Sequence, residues 1–133
     1  MRNRVFCDTQ ALVFWALDRS RLSPAAHRAI EAAAEQGTLA CADISLWEIA
    51  MLCAKGRIAA PLGQGELLQD LVTALRLEVV AINPEIAVLA QAPCFQHGDP
   101  ADRLIGATAW HHHAPLITSD AKLRAVAELE TIW

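Results

Sequence analysis

Short apolar runs alternate with longer helical patterns along the whole sequence. Runs rich in aliphatic and β-branched residues predict strands at residues 4–7, 38–42, 77–82, 116–118 and 130–133. Between them, apolar residues recur at helical spacing over residues 9–17, 24–36, 44–55, 65–76, 84–92 and 101–113. The alternation predicts an α/β fold, a three-layer sandwich with a mainly parallel central sheet and helices on both faces.

Several helix boundaries carry recognisable signals. Ser23 followed by Pro24 is typical of a helix start, and Gly37 of its end. Gly56 is expected to end the next helix. The polar turn QHGDP precedes the helix at 101–113, and a short helix is expected after Asp120.

No linker, charge block or internal repeat divides the 133 residues, so one domain over residues 1–133 is expected. The apolar stretches are too short to cross a bilayer, and the N-terminus has no signal-peptide pattern, which predicts a cytoplasmic protein without a membrane partner. Hydrophobic residues make up 54% of the chain. This content favours either a sheet covered on both faces or an apolar surface that meets a partner.

The chain has four cysteines, Cys7, Cys41, Cys53 and Cys94, and none of them forms a CxxC pair. This spacing argues against a structural zinc site. In a reducing compartment we expect all four to be buried and to behave as small hydrophobes.

Two acids follow predicted strands. Asp8 comes directly after RVFC, and Asp120 follows PLITS. Because the carboxyl ends of parallel strands meet at one edge of a sheet, these carboxylates are expected to converge there.

Further acids lie on predicted helices. Glu48 sits within the apolar run ISLWEIAML, where a lone buried carboxylate would be costly without a partner, and a cation is the simplest one. Asp102 lies near the start of a helix in HGDPADRLIGATAW, three residues after Asp99.

Oxygen ligands of this kind favour Mg²⁺ or Mn²⁺ over zinc. A divalent ion held by carboxylates can activate water and neutralise charge on a phosphate, which is the chemistry of phosphodiester hydrolysis. The net charge of −4 is unusual for a protein that handles nucleic acid, but the other eleven acids balance the eleven Lys and Arg residues if four acids form a metal pocket. Neighbouring hydroxyls are expected to orient the ligands or bind phosphate, at Thr9, Ser45, Thr118 and Ser119.

Each acid also has a purely structural interpretation. Asp8 and Asp120 are suitable N-caps for the helices that follow them. Asp99 could stabilise the turn before Pro100 or offset a helix dipole. Asp102 could pair with a neighbouring arginine. Glu48, with its apolar neighbours, is the hardest of the five to explain in this way.

Four segments together resemble the VapC-type toxins, which are PIN-domain ribonucleases. They are CDTQALVFWAL, ADISLWEIAMLCAKGRI, HGDPADRLIGATA and PLITSDAKL, in the order of the family and spanning almost the whole chain. The resemblance implies a PIN-like fold, a Mg²⁺ or Mn²⁺ site and endonucleolytic hydrolysis of RNA. It also implies a type II toxin–antitoxin pair, in which a cognate antitoxin protein blocks the toxin, and it fits a homodimer.

The resemblance assigns roles position by position. It implies that the catalytic and metal-binding acids are Asp8, Glu48, Asp102 and Asp120. Asp99 matches a further frequent acid, with a less certain metal role, and Arg103 matches an arginine that could touch substrate or brace the acids. The family often has histidine where this chain has Gln10, which puts in doubt any substrate contact made by that histidine.

Other polar and aromatic residues have simpler interpretations. Consecutive side chains on a helix diverge, so His111–His113 is expected to be a solvated helix end rather than a metal site. His97 is expected to be a turn residue. Trp15, Trp47 and Trp110 are expected to pack in the core or at an interface. RNA contacts, if present, are expected among the basic residues Arg19, Arg21, Arg28, Lys55, Arg57, Lys122 and Arg124.

Three other functions are compatible with parts of this sequence. A non-catalytic PIN-like binding module would fit the loss of one acid, and none is lost. A phosphoacceptor receiver domain would need an acid pair after the first strand, where Thr9 and Gln10 stand. A structure-specific DNA nuclease shares the acids but usually has further DNA-binding elements.

Overall fold

The structure, a computed structural model, describes residues 3–95 and 98–133. Within these residues it has a five-stranded sheet, entirely parallel, in the order β3-β2-β1-β4-β5. The strands are β1 (Val5–Cys7), β2 (Leu39–Ala42), β3 (Glu78–Val80), β4 (Leu116–Ile117) and β5 (Thr131–Ile132). The prediction of a parallel α/β sheet is confirmed, and the first strand is the central one.

Seven α-helices are present in the described part of the chain. They are α1 (Thr9–Leu17), α2 (Pro24–Gln36), α3 (Asp43–Ala54), α4 (Gln64–Ala74), α5 (Pro84–Leu89), α6 (Pro100–His111) and α7 (Ala121–Arg124). Short 3-10 turns cover Arg19–Arg21 and Pro93–Phe95. The signals for α2 act as expected: the Ser23 hydroxyl accepts a hydrogen bond from the Ala26 N–H at 3.0 Å, and Gly37 ends the helix at φ 71°.

The helices cover both faces of the sheet. One apolar cluster joins the strands to α5, α6 and α7, with Phe6, Ile86, Ile105 and Leu123 at its centre. The other joins them to α1, α2, α3 and α4. The predicted three-layer sandwich is therefore confirmed, and the high apolar content fills a core on each face.

Some predicted boundaries are wrong. The strand predicted at 77–82 covers only Glu78–Val80, because it pairs on one side alone, with Ala40–Ala42 of β2. The helix predicted at 84–92 ends at Leu89. Part of the QHGDP turn, including His97, lies outside the described residues.

The cysteine prediction holds in part. All four cysteines belong to the described part of the chain and are free thiols. Cys7 and Cys41 are buried, and burial raises the pKa of the Cys41 thiol to about 12. Cys53 and Cys94 are only partly buried, so the prediction of full burial is wrong for them. None of the described helices combines the length and apolar character needed to cross a bilayer.

Candidate metal-binding active site

Two of the predicted acids meet at the carboxyl edge of the sheet. Asp8 follows β1 and Asp120 follows β4, and these strands are direct neighbours in which Cys7 pairs with Ile117. The pairing brings together two side chains that are separated by more than a hundred positions in the sequence.

Asp8 is the most buried of these acids, with 5% of its surface exposed. It caps α1, since its Oδ1 accepts a hydrogen bond from the Ala11 N–H at 2.8 Å, and its Oδ2 lies 2.5 Å from the donating Thr118 hydroxyl. Burial raises the pKa of Asp8 to about 6; the Thr118 and Ala11 hydrogen bonds oppose the shift, and the charges of Asp120 and Glu48 add to it. The protein thus holds a carboxylate where its negative charge is unfavourable.

Asp120 is tied to the same hydroxyl. Its backbone N–H donates to Thr118 Oγ1 at 3.0 Å, and its side-chain Oδ1 caps α7 by accepting from the Leu123 N–H at 3.0 Å. The structural interpretation of Asp8 and Asp120 as N-caps is therefore correct. It does not exclude a second role, because each carboxylate has two oxygens and more than one lone pair on each.

Glu48 projects from α3 and is half-buried. The Thr9 hydroxyl lies 2.5 Å from Glu48 Oε1 and 3.0 Å from Ser45 Oγ. Because a hydroxyl has one proton, Thr9 donates it to the carboxylate and accepts from Ser45. Burial raises the pKa of Glu48, the Thr9 hydrogen bond lowers it, and the charge of Asp99 raises it further.

Asp102 and Asp99 lie at the start of α6. Asp99 caps the helix, with its Oδ1 accepting from the Ala101 N–H at 2.9 Å, and Pro100 occupies the first helical position. Asp102 is in the first turn. The helix start therefore faces the carboxyl edge of the sheet with two acids, of which Asp99 is the more exposed.

A cavity of about 350 Å³ joins the acids. Asp8, Glu48, Asp102 and Asp120 all line it, so the structure brings together the four acids singled out in the sequence. Asp99 is not among the described residues that line it, although its charge acts on Glu48. The rest of the lining is Thr9, Gln10, Val13, Phe14, Arg21, Leu52, Arg57 and Ile58.

The chemistry of this lining fits a divalent cation. Four carboxylates in one cavity repel each other, and a cation relieves both that repulsion and the cost of burying Asp8. As placed, no three His, Cys, Asp or Glu side chains within residues 3–95 and 98–133 are close enough to hold an ion together. Magnesium keeps several water ligands and commonly uses one or two carboxylates directly, which suits acids spread around a cavity.

The hydroxyls expected near the acids serve mainly to orient them. Ser45 and Thr118 are fully buried, and their hydrogen bonds lead to Thr9 and Asp8. Thr9 is buried as well and braces Glu48. This burial fits the first of the two roles expected for these hydroxyls, orientation of the acids, and phosphate contact stays a prediction.

Ser119 and Arg103 are half-buried and are not among the described residues that line the cavity. The Arg103 Nε is buried and has no hydrogen-bond partner in the part of the chain that the structure describes. Direct substrate contact by either residue stays a prediction.

Four apolar residues of the lining were not predicted as site residues: Val13, Phe14, Leu52 and Ile58. Arg21 and Arg57 were predicted only as two of seven possible RNA contacts. The sequence does contain a signal for Leu52. It lies four residues after Glu48, and therefore on the same face of α3 as this acid.

The histidine run and one tryptophan depart from their predictions. His112 is half-buried, stacks on Phe6 with ring centroids 5.8 Å apart, and lies 3.4 Å from Arg4, so the solvated helix end is wrong for this residue. His113 is exposed, as expected.

Trp47 is 59% exposed, which excludes core packing and leaves an interface as the alternative.

A protein with this parallel sheet, its central acid after β1 and its remaining acids around the same cavity has the architecture expected of a PIN domain. The family model for the PIN domain matches residues 5–129. The chain belongs to the PIN-domain family, and the receiver-domain rival is thereby excluded.

A curated relative refines this assignment. The chain is 42% identical to Ribonuclease VapC22 of Mycobacterium tuberculosis over 122 residues, which cover 91% of this chain and 90% of the relative. The resemblance to VapC-type PIN proteins is confirmed.

Two solved structures share the fold at low sequence identity. One is VapBC2 from Rickettsia felis bound to a promoter DNA fragment, with a TM-score of 0.74, 17% identity and 96% of both chains covered. The other is a toxin–antitoxin complex from Klebsiella pneumoniae, with a TM-score of 0.57, 19% identity and 94% of both chains covered.

Proposed function

We propose that this chain is a metal-dependent endoribonuclease and the toxin of a type II toxin–antitoxin pair. The observation that carries the proposal is the convergence of Asp8, Glu48, Asp102 and Asp120 on one cavity at the carboxyl edge of the sheet. The relative named as a ribonuclease matches over nine-tenths of the chain. It supports ribonuclease activity and none of the rival functions.

In the proposed mechanism the four acids would hold Mg²⁺, or Mn²⁺ in its place, partly through water ligands. When bound, the ion supplies an activated water and offsets the negative charge that develops on the phosphate. Asp8 is fixed by Thr118 and by the start of α1, so it is a rigid ligand. Asp120 reaches the same cavity from the neighbouring strand.

Glu48 is the better placed of the acids to accept a proton from the attacking water. It is only half-buried, and its pKa is raised by burial, so it is a stronger base than an ordinary surface carboxylate. Thr9 occupies Oε1 and holds the side chain in place. The ribose 3′ oxygen is the leaving group, as the family resemblance implies.

The test of the activity is cleavage of labelled RNA by the purified protein. We expect cleavage in Mg²⁺ or Mn²⁺, none in EDTA, and a loss of at least about a hundredfold in Asp8→Asn. Asparagine is a good N-cap, so this change should leave α1 intact. Asp70→Asn, at an exposed acid on α4, is the matched control and should cleave normally. Equal cleavage by Asp8→Asn would favour the non-catalytic module.

The proposed partner is a cognate antitoxin protein. Both structural neighbours are complexes of this kind, and this chain has an apolar groove of about 250 Å³ between the end of α1 and the start of α4, where Leu62 is 75% exposed. We propose that the toxin acts in the cytoplasm. Inducing the chain alone should stop the growth of the host cells, and inducing Asp8→Asn should not. Co-expression of the antitoxin should restore growth; toxicity of both forms would contradict the account.

A homodimer is the second proposed assembly. Val88 on α5 is 73% exposed, and Trp47 on α3 is also well exposed, so apolar surface remains outside the acid cavity. Sedimentation of the purified chain should give twice the 14.4 kDa monomer mass. A monomer at micromolar concentration would contradict the dimer without affecting the nuclease proposal.

A further inference from the structure

We propose that the acid cavity has a second half that binds the nucleotide next to the scissile phosphate. In this half, Arg21 and Arg57 contact RNA phosphates, and an apolar wall packs against an unpaired base. The inference rests on the proposed ribonuclease function, and it goes beyond it by naming the residues that hold the substrate.

The two halves of the cavity follow one another along the same two helices. Asp8 caps α1, and Val13 comes one turn after Thr9, the first residue of that helix. On α3, Leu52 comes one turn after Glu48. All of these residues line the cavity. A helical turn advances by about 5.4 Å, so the apolar wall lies immediately outside the acids on both helices.

Each helix leads into an arginine that lines the same cavity. Arg21 lies in the short 3-10 turn after α1, and Arg57 lies in the loop after α3, beside Ile58. The order along both elements is therefore acid, apolar residue, arginine. Both arginines are exposed residues, so they are accessible to a ligand.

Arg21 is held in position by an aromatic ring. Its guanidinium carbon lies 4.5 Å from the centroid of the Phe14 ring, and Phe14 is itself part of the lining. Arg19 makes a comparable contact with Trp15 at 4.1 Å, but it is not among the described residues that line the cavity. Arg19 and Arg21 are therefore oriented by the same type of contact, but only Arg21 lines the cavity.

The apolar part of the lining favours a nucleotide over an acidic peptide. Charge does not distinguish the two ligands, since the arginines attract both and the four carboxylates at the other end of the cavity repel both. A nucleotide offers a flat apolar face to Val13, Leu52 and Ile58, and a chain of acidic side chains does not. An unpaired base is required, since a base within a duplex is stacked and cannot reach the wall.

The test measures binding separately from cleavage. The anisotropy of a fluorescein-labelled oligouridylate is recorded with metal chelated by EDTA, at several salt concentrations. We expect Arg21→Gln and Arg57→Gln each to weaken binding roughly fivefold and to reduce the slope of log affinity against log salt by about 0.7, since one phosphate contact is lost. Arg76→Gln, at an exposed arginine outside the cavity lining, is the matched control and should bind like the unchanged protein.

The outcomes separate this inference from the function beneath it. If the unchanged protein cleaves RNA in Mg²⁺ but Arg21→Gln and Arg57→Gln bind like their control, the nucleotide site is wrong and the ribonuclease stands. If duplex RNA binds as tightly as oligouridylate, or polyglutamate of equal charge competes as well, the site is a general anion surface and the inference is overturned. If the unchanged protein neither binds nor cleaves RNA, both proposals are wrong.

Discussion

The Thr118 hydroxyl donates a hydrogen bond to the carboxylate of Asp8, across 110 positions of sequence and between neighbouring strands. The same oxygen accepts the backbone N–H of Asp120 at 3.0 Å. One buried hydroxyl therefore fixes the two acids that end β1 and β4. Because it stabilises the charged form of Asp8, it also limits the rise in the Asp8 pKa that burial causes.

Thr118→Val should lower the rate of RNA cleavage by roughly tenfold to a hundredfold, as is usual when the support of a metal ligand is removed. The acidic limb of the pH–rate profile should also move to higher pH, because Asp8 loses a hydrogen bond that lowers its pKa. Thr118→Ser, which keeps the hydroxyl, should restore both the rate and the profile. The measurement is initial cleavage rate from pH 5 to pH 9.

Thr108→Val is the matched control for this change. Thr108 is also fully buried, but its hydroxyl donates to the Leu104 carbonyl within α6 at 2.7 Å. It should lose some stability and keep both the rate and the pH profile. If the two valine variants behave alike, the effect is one of general packing and the role given to Thr118 is wrong.

Asp8→Asn should stabilise the metal-free protein above pH 6. The pKa of Asp8 is about 6 in the folded protein against 3.8 for a free side chain, so folding takes up a proton between these values. The stability due to this proton is complete below about pH 4 and is lost as the pH rises through 6, a change of up to about 3 kcal/mol. Denaturant unfolding in EDTA at pH 5 and pH 8 measures it.

The Asp70→Asn variant provides the baseline for that comparison, since Asp70 is exposed. Adding Mg²⁺ should stabilise the unchanged protein at pH 8 and should have little effect on Asp8→Asn. The contrary result would be an Asp8→Asn variant less stable than the unchanged protein at pH 8 without metal. It would show that burying the charged Asp8 carboxylate does not destabilise the fold.

The sequence predicted most elements because their signals are local. Asp8 before α1, and Ser23, Pro24 and Gly37 around α2, mark boundaries that the structure confirms. The short β3 could not be predicted to the residue, because its length depends on the three positions at which it pairs with β2. Pairing of this kind is a property of the whole fold and leaves no mark in residues 77–82.

Asp8 and Asp120 were predictable because each follows a strand, and the edge rule for parallel sheets brings them together. Glu48 and Asp102 lie on helices, and their motifs in the family resemblance predicted their place in the site. Arg21 and Arg57 have no such mark, since each lies in a connection whose direction depends on packing. Whether the acids bind metal stays a prediction.

Gly106→Ala should destabilise the protein by about 1–3 kcal/mol, the usual cost of overpacking. An added Cβ would lie 2.7 Å from Phe95 and 2.8 Å from Leu123, which belongs to α7. The change would press α6, which carries Asp102, away from α7, which Asp120 caps. Thermal unfolding measures the loss, and cleavage should fall with it.

Gly65→Ala is the control for that substitution. Gly65 lies in α4 and an added Cβ would meet nothing within 4 Å, so alanine should stabilise the protein by about 0.5–1 kcal/mol. If Gly106→Ala is as stable as Gly65→Ala, the contact between α6 and α7 is looser than described.

His112→Phe should raise the melting temperature, and more so at pH 5 than at pH 7.5. Burial, together with the charges of Arg4 and His111, lowers the pKa of His112 against the opposing charge of Glu78, so stability is lost as the pH falls below 6.5. Phenylalanine keeps the stacking on Phe6 and removes the titrating ring.

The exposed neighbour His113 tests whether that effect is specific. It has a φ of 53°, a conformation that asparagine tolerates, so His113→Asn is a suitable control and should leave the melting temperature nearly unchanged at both pH values. An equal gain in stability at pH 5 and pH 7.5 in His112→Phe would contradict the lowered pKa.

Binding of Mn²⁺ to the purified protein tests the central claim most directly, because it requires the acids and no substrate. Titration calorimetry at pH 8 should detect binding to the unchanged protein and to Asp70→Asn. It should show a loss of affinity of at least about tenfold in Asp8→Asn, Glu48→Gln and Asp120→Asn. Equal affinity in all five proteins, or no binding to any of them, would contradict a metal site built from these acids.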